Sequence, residues 1–438
     1  MQPSRLRLFL QFLCFEILVI LAAIFAFMTT RVLAQAIKQR FHMRDIRPQL
    51  AVEEPAMEPV PLPEINTPEK KSWGRRLVVS VAALLLASII ASTFLFSVHF
   101  FSGTLAQSTN ADAQALAARH PQQRPDFERG VIYPQWYAGG YGVNDPIWQT
   151  NIDAMKKQTG AQWIEIPVLF SQASSTSTTV EVSASTPGLD GFVQGVQKAH
   201  SLGYRVFFVP LMGVREPGGW SGSIHFSTQQ QEQAWFNSYW NTLQSYVSAA
   251  AQNNVEQMAI GTELQTLQQT VPDALWNQLI SRIRSVFKNT LTYDMNWSSL
   301  DNPIPNWFSN PALTYIGVST YIPLLDSPAR INPKDMPALW RIKIKDRLDS
   351  LAQRLHKHVL ITEIGYRNSS DALYRTWEAT SKAQADPAEQ AGAYDAALTN
   401  VFHDPLIAGT FFWGWDDVGM FAIKGQPAAQ VLLKWYSL

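Results

Sequence analysis

The chain is 438 residues long and carries 35 Lys plus Arg against 35 Asp plus Glu, a formal net charge of zero. Balanced charge, with no basic patch interleaved with aromatics, argues against a nucleic-acid partner. The single cysteine, Cys14, leaves no intramolecular disulfide and no thiolate metal site, and the length suits one domain of about 300 residues plus a smaller part.

Residues 1–34 hold a first apolar run, from Leu6 to Met28, interrupted by Gln11, Cys14 and Glu16. It is expected to form a transmembrane helix, with a signal-like or interfacial segment as the alternative that Glu16 keeps open. Residues 35–76 are basic and Pro-rich and read as an extended linker. Residues 77–101 are the cleaner membrane span: Val78 to Val98 carries no charge and is long enough to cross a hydrocarbon layer of about 30 Å. Arg31, Lys38, Arg40, Arg44, Arg47, Lys70, Lys71, Arg75 and Arg76 cluster between the two runs. Basic flanks stay in the cytoplasm, so the expected location is the cell membrane with the rest of the chain on the extracytoplasmic side. Residues 102–124 are polar and Ala-rich, a stalk.

From 125 to 438, short β-rich runs alternate with longer amphipathic ones. Strands are expected at Val131–Tyr133, Trp163–Val168, Arg205–Leu211, Gln257–Gly261, Leu291–Asp294, Tyr315–Ser319, His358–Thr362 and Ile407–Trp413, with helices between most of them. Eight such units predict an α/β fold, a (β/α)8 TIM barrel, whose usual size is about 250 residues before loop insertions. A doubly wound open sheet would alternate too, but Tyr133-Pro134-Gln135-Trp136 follows the first strand where such a fold would carry a glycine-rich phosphate loop. The Ser/Thr-rich stretch Ser171 to Ser185 reads as an inserted loop, a loose surface connection.

Barrel chemistry sits at the C-terminal ends of the strands. Strand four runs into Glu263 and strand seven into Glu363. Singly, each would be read as pairing with an arginine at the rim. Two glutamates at matching strand ends, about three βα units apart, instead suggest a catalytic pair. Around them lie aromatic and hydrogen-bonding groups: Tyr133 at the end of strand one, Asn296 after strand five, Tyr321 after strand six, and Trp413 and Trp415 at strand eight. The Gly-rich loop after strand three adds Arg215 and Trp220. Such a mixture binds a neutral sugar, aromatic faces against C–H groups and amides against hydroxyls.

The chain resembles glycoside hydrolase family 113, the β-mannanase-like barrels of a large retaining clan. The resemblance rests on Gly218-Gly219-Trp220-Ser221-Gly222-Ser223-Ile224, Gly261-Thr262-Glu263-Leu264, Thr362-Glu363-Ile364-Gly365-Tyr366-Arg367 and Trp413-Gly414-Trp415. It implies Glu263 as acid/base and Glu363 as nucleophile, with Tyr321, Tyr366 and Trp413 shaping the sugar subsite and neither metal nor organic cofactor. Two positions depart from the clan's pattern. Thr262 stands where much of the clan has asparagine, and Val209-Pro210-Leu211-Met212 replaces a histidine-containing Lys-Pro-His motif. The expected function is a membrane-anchored retaining glycosidase acting on β-linked polysaccharide or oligosaccharide, β-mannan favoured. Its alternative is a glycan-binding barrel with impaired chemistry; for the glycosidase cycle the charge of Glu363 is expected to raise the pKa of Glu263.

Overall fold

The computed structural model describes residues 124–417 and 419–438. Both apolar runs, the basic linker and all of the stalk before Arg124 lie outside the described residues. Among the described residues no helix is long and apolar enough to cross a membrane.

Eight parallel strands close on themselves in chain order: β1 (Glu128–Ile132), β2 (Trp163–Gln172), β3 (Arg205–Val214), β4 (Gln257–Thr262), β5 (Thr290–Asn296), β6 (Ile316–Ser319), β7 (Val359–Ile364) and β8 (Ile407–Phe412). Closure is made by β1 against β8, with Glu128 opposite Gly409 and Gly130 opposite Phe411, which rules out the open sheet. Alternation along each strand divides the apolar residues into two layers. Ile132, Trp163, Phe207, Val209, Ala259, Leu360 and Phe411 fill the barrel, while Ile164, Ile166, Phe208, Ile361 and Phe412 face the helices.

The helices are α1 (Pro146–Thr159), α2 (Leu189–Ser201), α3 (Gln229–Gln252), α4 (Gln265–Thr270), α5 (Asp273–Val286), α6 (Met336–Trp340), α7 (Asp346–Leu355), α8 (Pro387–Val401) and α9 (Pro427–Tyr436). Their starts are set locally. Asp145 accepts from the Trp148 N–H and Asp386 from the Glu389 N–H, each followed by a proline whose missing N–H costs nothing at a first helical position. The sequence pattern predicts one helix over Ala338–Leu355; the structure breaks it with a π-helical turn at Arg341–Lys345.

The stretch from Ser171 to Ser185 is not loose. Ser171 and Glu181 exchange both backbone hydrogen bonds at 2.9 Å, and Val180 is buried, its N–H donating to Ser238 Oγ on α3 at 2.8 Å. Runs of Ser and Thr hide such order, because small hydroxyl side chains satisfy backbone groups in irregular paths without any apolar period.

Candidate active site

A cleft opens at the C-terminal mouth of the barrel. One lobe, about 650 Å³, is lined by Trp220, Glu263, Asn296, Trp297, Tyr321, Glu363, Trp377, Trp413, Asp417 and Phe421 among others. A smaller lobe of about 330 Å³ shares Glu263, Glu363 and Trp413 and adds Trp136, Leu211, Met212 and Thr262. The two glutamates thus sit where the lobes join.

Each reaches that position through a local departure from strand geometry. The β4–β5 register shifts between Ala259 and Thr262, and Glu263 adopts φ +52°, a left-handed conformation costing on the order of 1 kcal/mol or more for a side-chain-bearing residue. Its N–H donates to the Asp294 carbonyl at 2.8 Å, which keeps the turned backbone tied to β5. Glu363 lies opposite Ser319 after a similar shift between β6 and β7. Gly317 makes room for this crowding: a Cβ there would stand 2.7 Å from Thr362 Cγ2 and 2.8 Å from the Tyr293 carbonyl oxygen.

Donors converge on both carboxyls. Asn296 Nδ2 donates to Glu263 Oε1 at 2.8 Å, and the Tyr321 hydroxyl donates to Glu363 Oε1 at 2.5 Å. Burial raises the pKa of Glu263, while hydrogen bonds from Asn296, Trp220 and Ser319 pull it down. Burial also holds Glu363 well above the usual carboxylate range, followed by repulsion from Glu263, against the lowering effect of Tyr321. Desolvation is therefore the main cause of the Glu263 shift, in place of the expected charge of Glu363, and the repulsion between the two falls on Glu363. Beneath them Asp294 accepts from the Ser319 hydroxyl at 2.9 and 3.1 Å and from Thr362 Oγ1 at 2.5 Å, and burial lifts it to about 8. Glu165 of β2 is buried with Oε2 unpartnered, and burial raises it well above its ordinary value.

Of the residues singled out from sequence, Glu263, Glu363, Trp220, Asn296, Tyr321 and Trp413 line the cleft together. Four others do not. Tyr133 is buried beside α1, its hydroxyl accepting from Asn151 Nδ2 at 3.0 Å and reaching Asp416 Oδ2 at 3.4 Å. Arg215 is exposed and pairs with Glu181 at 2.5 Å, tying the β3 loop to the β2 loop. Tyr366 is buried against α6 and accepts from Trp340 Nε1 at 2.8 Å. Trp415 is fully buried, its backbone N–H donating to the Ile132 carbonyl at 2.9 Å while its indole Nε1 has no partner among the described residues. The sequence reading did not single out Trp136, Trp297, Trp377, Asp417 or Phe421, which also line the cleft. Trp136 stacks on Trp413 at 6.1 Å, and Trp297 faces Trp377 at 5.5 Å. Among the described residues no cluster of His, Cys, Asp and Glu is grouped as a metal site.

The model of glycoside hydrolase family 113 matches residues 139–429, from the β1 loop into α9. The chain belongs to that family. As a family 113 glycoside hydrolase it also shares its fold with solved members. A GH113 β-1,4-mannanase superposes with TM-score 0.60 at 20% identity, covering 71% of this chain and 99% of that one. The GH113 β-mannanase of Alicyclobacillus acidocaldarius, in complex with ManMIm, gives TM-score 0.61 at 22% identity, covering 71% and 97%. Comparison with curated proteins gave no match. The family 113 match spans all the cleft-lining residues named above except Trp136.

Proposed function

We propose that this family 113 enzyme is a retaining β-glycosidase that cleaves β-1,4-linked mannan-type chains by double displacement, with Glu363 as nucleophile and Glu263 as acid/base. The observation that carries the reading is the meeting of the two carboxyls in one aromatic-walled cleft, each held by its own donor. Burial raises both carboxyls and the charge of Glu263 raises Glu363 further, so the pair favours keeping a proton, which the first step requires on Glu263. Glu363 attacks the anomeric carbon as the bond to the glycosidic oxygen breaks, and the proton goes from Glu263 to that oxygen. Glu263, now a carboxylate, takes a proton from water, whose oxygen displaces Glu363 from the anomeric carbon. Aromatic faces of Trp136, Trp220 and Trp413 offer stacking surface for the sugar rings on either side. The preference for mannan follows the substrates named for the two solved relatives.

Glu363→Gln in the full chain is expected to abolish release of sugar from β-1,4-mannan oligosaccharides. Turnover within about tenfold of the parent, a barrier change of only ~1.4 kcal/mol, sinks the assignment. Proton NMR of the first product should show the β-anomer, and an α-anomer would replace retention by inversion.

One observation favours a second reading, a barrel that binds glycan without turnover. Thr262 and Met212 line the smaller lobe, and Thr262 Oγ1 has no hydrogen-bond partner. Oligosaccharide binding by a parent chain that releases no sugar would select it. A membrane anchor belongs to the proposal on the strength of the uncharged run Val78 to Val98 and the basic residues before it. Alkaline carbonate extraction should leave the full chain in the membrane fraction.

A further inference from the structure

The segment between β7 and α8 has no regular structure, yet it is built around a fully buried charge. Arg367, at the end of the strand-seven motif, is 0% exposed. Its Nη1 donates to the carbonyls of Arg375 at 2.7 Å and Glu378 at 2.8 Å, and its Nη2 to those of Asp371 at 3.0 Å and Tyr374 at 2.9 Å. Asp371 closes the arrangement: its carboxylate lies 3.4 Å from Nη2 and accepts from the hydroxyls of Ser369 and Ser381, each at 2.6 Å. A guanidinium offers five donors in a rigid plane, and burying one is costly unless acceptors surround it. Here the acceptors are the loop's own backbone, so the loop's path follows the shape of the guanidinium.

That path delivers Trp377 to the cleft. Arg375 turns through φ +45°, the Thr376 hydroxyl donates to the Tyr321 carbonyl, and Trp377 emerges beside Glu263 and Glu363 in the larger lobe. Trp377 is 48% exposed and so is not placed there as core. It faces Trp297, the residue after Asn296, at 5.5 Å and 31°. The larger lobe thus has an aromatic wall made from two segments that each also carry a contact toward a glutamate: Asn296, ending β5, to Glu263, and Thr376 through Tyr321 to Glu363.

We propose that Trp377 is a sugar-stacking residue of this cleft, and that Arg367 is the positioning residue that holds it there. The substrate feature it reads is the C–H face of a pyranose in a β-linked chain, so the proposal rests on the glycosidase reading above. Its test separates the two by measuring binding as well as turnover.

Calorimetry of β-1,4-mannohexaose with the full-length Glu363→Gln chain gives Kd without hydrolysis. Adding Trp377→Ala should weaken Kd about tenfold, and in the active chain the same change should lower kcat/KM through KM. Arg367→Lys supplies one ammonium that cannot span four carbonyls, and should weaken Kd by a similar factor while Trp377 is present. With Trp377→Ala already in place it should add less than twofold, because residues acting through one another are not additive. A residue that only stabilised the fold would lower Tm without that coupling. A Kd within twofold of the parent's for Trp377→Ala overturns the stacking role. Equal weakening by Arg367→Lys with and without Trp377 overturns the positioning role. If Arg367→Lys yields no folded chain, Asp371→Ala, which removes the anchor of the same loop, is put through the same cycle with the same two outcomes. Loss of turnover by the parent with these binding effects intact would count against the glycosidase reading alone.

Discussion

Glu263 and Glu363 differ in what donates to them, and that difference should be readable in pH profiles. In the proposed cycle the acidic limb of kcat/KM reports Glu363, which must ionise, and the alkaline limb reports Glu263, which must hold its proton. The Tyr321 hydroxyl lowers the Glu363 pKa by bonding its charged form. Tyr321→Phe removes that bond and should move the acidic limb to higher pH, narrowing the profile. Asn296 does the same for Glu263. Asn296→Ala should move the alkaline limb to higher pH, on the opposite side of the optimum. Stopped assays across the pH range on a mannan oligosaccharide check both, and shifts of the wrong limb would exchange the assigned roles of the two glutamates.

At the scale of elements, the loop after β3 shows how a glycine decides where a functional ring lies. A Cβ on Gly222 would stand 2.3 Å from the Trp220 ring, so only glycine lets that ring fold back over the turn. Thr266 Oγ1, on α4, donates to the Gly222 carbonyl at 2.7 Å and fixes the turn from below. Gly222→Ala should push Trp220 out of the cleft and lower kcat/KM to about the level of Trp220→Ala; parental kcat/KM in Gly222→Ala would show that the ring's position is immaterial. Elements of this kind mark the limit of what the sequence disclosed. The strands and most helices were legible because period 2 and period 3.6 repeat over many residues, and Glu263 and Glu363 because each ends an apolar run. Trp415, two residues beyond Trp413, was not legible as core, since past Phe412 the chain leaves the strand and alternation stops ordering its side chains. Tyr133 and Tyr366 fail the same way, one and two residues past their strands. Trp377 lies on a long loop whose course follows Arg367, Phe421 on the loop after β8, and no local pattern announces either.

Across the whole molecule the barrel carries buried carboxyls at both ends, and these tie its stability to pH. At the mouth Asp294 is raised by burial to about 8, and at the opposite end Glu128 is raised by burial to about 8 as well. Glu128 Oε2 accepts from Gln257 Nε2 at 3.3 Å, whereas Gln257 Oε1 has no partner. In the unfolded chain these groups ionise near their ordinary values, about 4. Between there and pH 8 the folded state holds the extra protons, so stability is greatest in weak acid and falls as pH rises toward 8, by up to about 1.4 kcal/mol per pH unit for each group. Glu128→Gln keeps the shape, removes the ionisation, and offers an amide N–H that can donate to Gln257 Oε1. The variant's midpoint of thermal unfolding should therefore fall less steeply than the parent's between pH 5 and pH 8, values roughly bracketing the window set by the two states' pKa values. The two curves should approach each other at the acid end, where Glu128 is protonated in the folded parent. Because Glu128 lies at the far end of the barrel from Glu263 and Glu363, the pH profile of turnover should stay as in the parent. Parallel unfolding curves would show that Glu128 is ionised in the folded state, with Arg205 as the charge that compensates it.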